Sequence, residues 1–342
     1  MMEVVATRLD RKLRWGVLGV ARIATRKVIP AMQRGRWTTV DALASRDGSK
    51  ARAAAAELGI PKAYSSYEAL VQDPEIEAVY IPLPNHLHVE WTTRAAEAGK
   101  HVLCEKPIGL VAADAEQLLA VRDRTGVLIQ EAFMIRTHPQ WLGALDIARS
   151  GRIGQVRSIV GYFSFFNNDP ANIRNVKEWG GGGLLDIGCY LVNTARMIFE
   201  AEPRRVCAVI EEQPDTAVDY MASIIMDFGG RHAVGTCSTQ LAHAQRITIA
   251  GSVGRVEVEI PFNAPPDRPC RIFVEDSPPG AVPDQHVVEF DTCDQYTIQG
   301  DLFSRAAMEN RPAPYPLEDS VRNMRVIDAL FRSGATGAWV DV

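Results

Sequence analysis

The chain is short of cysteine, of aromatic residues and of any single sign of charge, and each shortage removes a class of protein. Its six cysteines (Cys104, Cys189, Cys207, Cys237, Cys270 and Cys293) lie far apart, without a C-x-x-C pair or histidines at zinc spacing. Reduced, structural thiols and no metal site are therefore expected. Basic and acidic residues nearly balance, at a formal net charge of -5 with lysine and arginine scattered. A nucleic-acid track or an anionic-membrane patch is not expected from that pattern. No segment approaches the roughly 20 apolar residues of a membrane helix. The opening stretch Met1 to Arg14 is charged and carries no apolar run, so a cytoplasmic location is the expectation.

What is present is an orderly alternation. At 342 residues the chain exceeds what one core usually organises, and two domains are expected. From Leu13 to Glu131, apolar runs (RWGVL, VDALAS, EAVYIPL, KHVLCEKP, VLIQEAF) are separated by helix-like segments at Ile23 to Arg34, Gly48 to Leu58, Tyr67 to Val71, Leu87 to Ala98 and Ala112 to Thr125. This βαβ series predicts an α/β Rossmann domain, a doubly wound parallel sheet over residues 1–131. Residues 132–342 read differently. A helix near Trp141 to Arg149 leads into period-two runs, with further helices at Leu184 to Phe199, Gln295 to Glu309 and Leu317 to Arg332. An α+β substrate-binding and oligomerisation domain on a large, mainly antiparallel open sheet is expected, with its C-terminal helix free to pack back on the first domain. Pro261 to Pro269 and Ser277 to Pro283 read as loops.

Straight after the first strand stands Gly19-Val-Ala21-Arg22-Ile23-Ala24, a G-x-A-x-x-A turn running into a helix. Small residues there let the backbone approach a pyrophosphate that the helix N-terminus can hold. At the tip of the second strand, where an acid would grip the ribose of NAD, the chain has Ser45 and Arg46, followed by Lys50. Hydroxyl and guanidinium suit a 2'-phosphate, so NADP is favoured over NAD; the plain alternative is a solvated turn in which Asp47 neutralises Arg46.

Two further groups carry chemistry. Glu105-Lys106-Pro107 closes the fourth apolar run, where open sheets place their ligands, and Lys106 can bond a reacting oxygen and lower the pKa of a neighbouring proton donor. Gly180 to Gly183 precede Leu-Leu-Asp186-Ile-Gly-Cys-Tyr190. Four glycines suggest backbone close to a ligand or a mobile helix entry, and the i, i+4 spacing sets the carboxylate and phenol on one face. Taken alone, such a pair is more often a helix-face hydrogen bond than a catalytic dyad.

Together with P-L-P-N-x-L-H at Pro82 to His88 and A-G-K-H-V-L-C-E-K-P, these motifs resemble the Gfo/Idh/MocA oxidoreductases, across both domains and in the same order. The resemblance implies an enzyme in which Lys106, Asp186 and Tyr190 face nicotinamide and substrate, with Tyr190 as general acid and base. It also implies a homodimer or homotetramer built through the C-terminal sheet. Tyrosine rather than histidine at 190 resembles the branch of glucose-fructose oxidoreductase, D-xylose dehydrogenase and dihydrodiol dehydrogenase, and so implies a sugar or related diol as the small-molecule partner. Pro82, Leu83, Asn85, His88, Glu105, Arg136 and Trp179 are then expected near the cofactor, and Phe165, Arg174 and Tyr296 near substrate. A non-catalytic NADP-binding sensor and a redox-neutral NAD-dependent glycosidase are the rival readings that the resemblance leaves open.

Overall fold

The computed structural model describes residues 11–276, 280 and 284–342. The charged opening stretch up to residue 10 and, apart from Gly280, the expected loop Ser277 to Pro283 lie outside the described residues.

Six short strands build the first sheet: β1 (Leu13–Leu18), β2 (Thr38–Ala44), β3 (Lys62–Tyr64), β4 (Ala78–Ile81), β5 (His101–Cys104) and β6 (Ile129–Glu131). All pairings are parallel, in the order β3-β2-β1-β4-β5-β6. That order reverses beside β1 and opens a crevice at the carboxyl ends of β1 and β4. The crossovers are α1 (Ile29–Gln33), α2 (Gly48–Leu58), α3 (Tyr67–Val71), α4 (His88–Glu97) and α5 (Ala112–Thr125). The expected helix over Ile23 to Arg34 divides, because its first turn, Ala24–Val28, is π-helical. Gly59 ends α2 in the left-handed conformation, the role that a residue without Cβ takes at least cost. Strand β3 was not foreseen: Lys62, Ala63 and Tyr64 form an edge with no apolar run to announce it.

The second sheet is reached through α6 (Pro139–Arg149). It contains β7 (Ser158–Phe166), β8 (Arg205–Glu212), β9 (Asp219–Asp227), β10 (His232–Ser238), β11 (Gln240–Ala250), β12 (Arg255–Val258), β13 (Cys270–Glu275), β14 (Gln285–Phe290) and β15 (Val340–Asp341). Their order is β14-β13-β12-β11-β7-β10-β9-β8-β15, antiparallel except for β7 with β10. One face carries α6 and α7 (Cys189–Phe199). The other has Val160, Val234, Ile225 and Val209 exposed on neighbouring strands. The last three strands escaped the sequence reading, β13 and β14 because they flank the loop at Ser277 to Pro283 and β15 because it has two residues.

The last two helices, α8 (Gln295–Met308) and α9 (Leu317–Thr336), return to the first sheet. Trp15 Nε1 donates to Ser304 Oγ at 2.9 Å, and Asp301 accepts from the Arg36 and Trp37 backbone N–H groups. Along α9, Asp328 accepts from Ala112 N and Glu318 pairs with Arg122. The core therefore runs continuously from one sheet to the other. Among the described residues no helix is long and apolar enough to cross a membrane, and no cluster of three or more ligating side chains is placed to hold a metal.

Candidate active site

A cavity of about 1070 Å³ lies between the carboxyl ends of the first sheet and the near face of the second. Its floor begins at the turn after β1. Gly19 adopts φ 115°, and a Cβ there would stand 3.0 Å from Leu83 Cδ2, so the turn admits only the smallest residue. Ala21, Arg22 and Ile23 line the cavity, joined by Arg26 and Lys27 from the π-helical turn. Tight turn, helix start and three cations in a cavity of this volume fit a dinucleotide pyrophosphate.

The tip of β2 stands apart, because Ser45, Arg46 and Lys50 do not line the cavity. Ser45 Oγ accepts from Asp47 N, while Arg46 lies beside the Tyr67 hydroxyl and is exposed. Asp47 is occupied by α2, whose Ser49 and Lys50 N–H groups it caps. Hydrogen bonds from the Ser49 hydroxyl and the Lys50 N–H hold its carboxyl below the ordinary value. The carboxylate thus serves the helix, and no ion pair between Asp47 and Arg46 occurs among the described residues.

Pro82, Leu83, Asn85 and His88 descend from β4 into the cavity, and Glu105 and Lys106 from β5. Glu105 is half-buried and accepts from the Tyr80 hydroxyl at 2.6 Å; desolvation raises its pKa. The Lys106–Pro107 peptide is cis. Lys106 Nζ donates to the Asp186 backbone oxygen at 2.6 Å and to its carboxylate at 3.1 Å, and lies 5.1 Å from the centre of the Tyr190 ring. The other carboxylate oxygen of Asp186 accepts from Arg174 Nε at 2.6 Å. Burial alone would raise Asp186, but Arg174 and Lys106 outweigh it and hold the carboxyl well below the usual range.

Asp186 belongs to a second π-helical turn, Leu184–Gly188, and Tyr190 to α7. No hydrogen bond joins the two side chains, so the helix-face bond that their spacing allowed is absent; Lys106 bridges them instead. The Tyr190 ring packs on Phe133, Phe163 and Phe262, and its hydroxyl donates to Met134 Sδ at 3.4 Å. Burial, followed by the nearby Glu105 and Tyr296, pushes the phenol well above its ordinary pKa. The expected lowering by Lys106 is outweighed, because desolvation is the largest cause and it raises the phenol.

Phe165, Arg174 and Tyr296 also line the cavity, with the Arg174 guanidinium 5.8 Å above the Phe165 ring. Trp179 stands at its edge, stacked on His86, and Asn85 Nδ2 donates to Gly180 O at 2.8 Å. Phe163, Met134, His243 and Asn263 share the lining. Sequence reasoning missed these four, since each reaches the cavity from a strand or loop distant in the chain and carries no motif.

Two expectations change. Arg136 does not face this cleft: it follows β6 in a 3-10 turn that aims Met134 at Tyr190 and Arg136 at α9. There Arg136 pairs with Asp319, stacks 4.1 Å over Tyr315 and lines a second cavity of about 550 Å³. The glycine run, in turn, is mostly packing. A Cβ on Gly181 would meet Arg174 O at 2.5 Å, one on Gly182 (φ 121°) would meet the Asp219 carboxylate at 1.8 Å, and only Gly180 lines the cavity.

A dinucleotide cleft whose inner end gathers lysine, aspartate and tyrosine defines a nicotinamide-dependent oxidoreductase. Residues 13–133 match the model of the oxidoreductase family with an NAD-binding Rossmann fold, and residues 141–257 match the GFO/IDH/MocA C-terminal domain. The chain is 47% identical over 331 residues to an uncharacterised oxidoreductase of Rhizobium meliloti, covering 96% of this chain and 99% of that one. It is 38% identical, with the same coverage, to D-xylose 1-dehydrogenase (NADP(+)) 2 of Haloferax volcanii. Among solved structures, a 3-ketoreductase from Actinomadura kijaniata in complex with NADP and TDP-benzene superposes with a TM-score of 0.88 at 32% identity, covering 94% of this chain and 98% of that one. The aldose-aldose oxidoreductase of Caulobacter crescentus, complexed with glycerol, gives 0.89 at 27%, with 97% and 100% covered. The chain belongs to the GFO/IDH/MocA oxidoreductase family, and it is an NAD(P)-dependent enzyme.

Proposed function

We propose that this enzyme is an NADP-preferring dehydrogenase of an aldose or a related diol, with Tyr190 as general acid and base and with Lys106 and Asp186 as its partners. The observation that carries the reading is the ion-paired chain Arg174–Asp186–Lys106 ending over the Tyr190 ring, inside the same cavity as the dinucleotide turn. Bound nicotinamide supplies or accepts the hydride. The protein's own groups handle the proton and the orientation. Tyr190, held protonated by burial, gives its proton to a carbonyl oxygen in reduction, and in oxidation its phenolate takes the proton of the substrate hydroxyl. Lys106 holds that oxygen and offsets developing negative charge, while Asp186 aims Lys106. Residues 1–131 would carry the cofactor and 132–342 the substrate and the subunit contacts.

The similarity to a D-xylose 1-dehydrogenase supports an aldose over other alcohols. Purified protein offered NADP or NAD with a panel of aldoses, polyols and trans-diols should give absorbance at the reduced-nicotinamide band with an aldose and NADP. Activity confined to substrates without a vicinal diol would sink the proposal.

The NADP preference rests on Ser45, Arg46 and Lys50 at the tip of β2, where no acid is free to hold the ribose. Arg46→Ala should weaken NADPH binding about tenfold and leave NADH binding near its starting value. A fluorescence titration in which the parent protein binds NADH more tightly than NADPH would contradict it.

A further inference from the structure

Two buried ionisable side chains that the chemistry above does not use meet at one peptide group. The carbonyl oxygen of Pro107 lies 2.7 Å from His88 Nδ1, and the N–H of Ile108, the other half of the same peptide unit, donates to Glu131 Oε1 at 2.9 Å. His88 is 1% exposed and Glu131 5%. The sheet order explains how both arrive. Strand β5 lies between β4 and β6, so the loop that leaves β5 is reached from one side by the start of α4 and from the other by the last residue of β6. The second ring nitrogen of His88 lies 2.7 Å from the Leu83 carbonyl, so the neutral ring, with its single N–H, can donate to one of the two carbonyls at a time.

Ionisable groups are costly to bury, and these two show the cost: desolvation lowers His88 to about 4 and raises Glu131 to about 7. Glu131 does not line the cavity, so ligand contact does not account for it. What both touch is the peptide one residue beyond Lys106, whose ammonium must meet Asp186 and lie over Tyr190.

We infer that His88 and Glu131 are positioning residues that grip the Pro107–Ile108 peptide from both sides and thereby hold Lys106 in its working position. The inference rests on the catalytic role of Lys106 proposed above, and it adds support of the loop to His88, which also lines the cavity.

The test is a set of kinetic cycles with the fastest aldose of the panel, using His88→Ala, Glu131→Ala and Glu131→Gln, each alone and combined with Lys106→Met. Each alanine variant should lower kcat by about tenfold to a hundredfold, as displacement of a catalytic group does. Glu131→Gln, whose amide oxygen still accepts from Ile108 N, should fall less and serves if the alanine variant does not fold. In the Lys106→Met background these losses should vanish, because groups acting through one residue are not additive. Independently of turnover, reductive methylation followed by peptide mass spectrometry should run faster at Lys106 in the alanine variants, with Lys100, buried and bonded to the Asp73 and Ile76 carbonyls, unchanged as the internal reference. Full losses persisting without Lys106, or faster methylation at both lysines, would mean general loosening and overturn the clamp. A Lys106→Met enzyme with the turnover of the parent would overturn the proposed role of Lys106 itself, and the inference with it; the cycles are read on its residual turnover.

Discussion

At the scale of single residues, the Tyr190 hydroxyl is set against sulfur rather than oxygen, its nearest partner being Met134 Sδ. A phenol so placed gives little to stability and keeps its proton for a ligand. Tyr190→Phe should therefore leave the denaturation midpoint close to the parent, within about 1 kcal/mol, while kcat falls about 10²- to 10⁴-fold. Calorimetry and steady-state kinetics on the same preparation check both halves, and full turnover in the variant would remove Tyr190 from the mechanism. The direction of its pKa sets the pH dependence. Because burial raises the phenol, oxidation, which needs the phenolate, should speed up as pH rises through neutral into the alkaline range, and carbonyl reduction should not. A flat profile for alcohol oxidation would contradict this. Lys106, Asp186 and Tyr190 were legible in the sequence because each sits in a short motif. The direction of the phenol's shift was not, since it depends on the ring being buried among Phe133, Phe163 and Phe262, which arrive from separate segments of the chain.

At the scale of elements, the entry to α7 shows why a motif can be read correctly in place and wrongly in cause. The glycine run seats the Asp219 carboxylate, which accepts from Leu184 N at 2.6 Å at the head of the π-helical turn. Gly182→Ala combines a φ of 121° with a Cβ collision and should destabilise by roughly 2 kcal/mol or more in a denaturant titration, with the loss of activity following the loss of the helix start. Asp219 itself is raised by burial to about 7. A carboxyl raised in the fold stabilises in its protonated form, fully below its unfolded value near 3.9 and progressively less as pH climbs to about 7. Asp219→Asn keeps the accepting oxygen and cannot ionise, so its melting temperature should drop less than the parent's between pH 5 and pH 8. Equal drops would show that Asp219 does not carry this dependence. The i, i+4 spacing sets Asp186 and Tyr190 towards one cavity, as expected, but without the hydrogen bond that it also allowed. A π-helical turn offers no distinctive residue pattern, so the turn that carries Asp186 was not foreseen.

At the scale of the whole molecule, the outer face of the second sheet presents Val160 beside Val234 and Val234 beside Ile225 on adjacent strands. Among the described residues no layer covers this face, and such a contiguous apolar row suits a second copy of the chain. Val234→Glu should reduce the mass measured by light scattering to that of the monomer and leave the far-ultraviolet spectrum intact. A parent protein that is already monomeric at micromolar concentration would end the proposal. The return of α8 and α9 to the first sheet belongs to this scale too. Trp15 finds its indole partner Ser304 nearly 300 positions later, so the core of the nucleotide-binding unit is completed by the end of the chain.

The period of apolar residues, the capping glycines and the local motifs by themselves determined two sheets of different kind, the order of their elements through β12 apart from the edge strand β3, and which lysine, aspartate and tyrosine to watch. Those signals act over a few residues, where backbone sterics and side-chain periodicity are decided. Only the tertiary structure decided that Asp186 is shared between Arg174 and Lys106, that Arg136 belongs to α9, and that His88 and Glu131 close on one peptide. Each of these depends on which distant segments desolvate one another, and burial changes the charge state and partner of a group without leaving a mark on its neighbours in the chain.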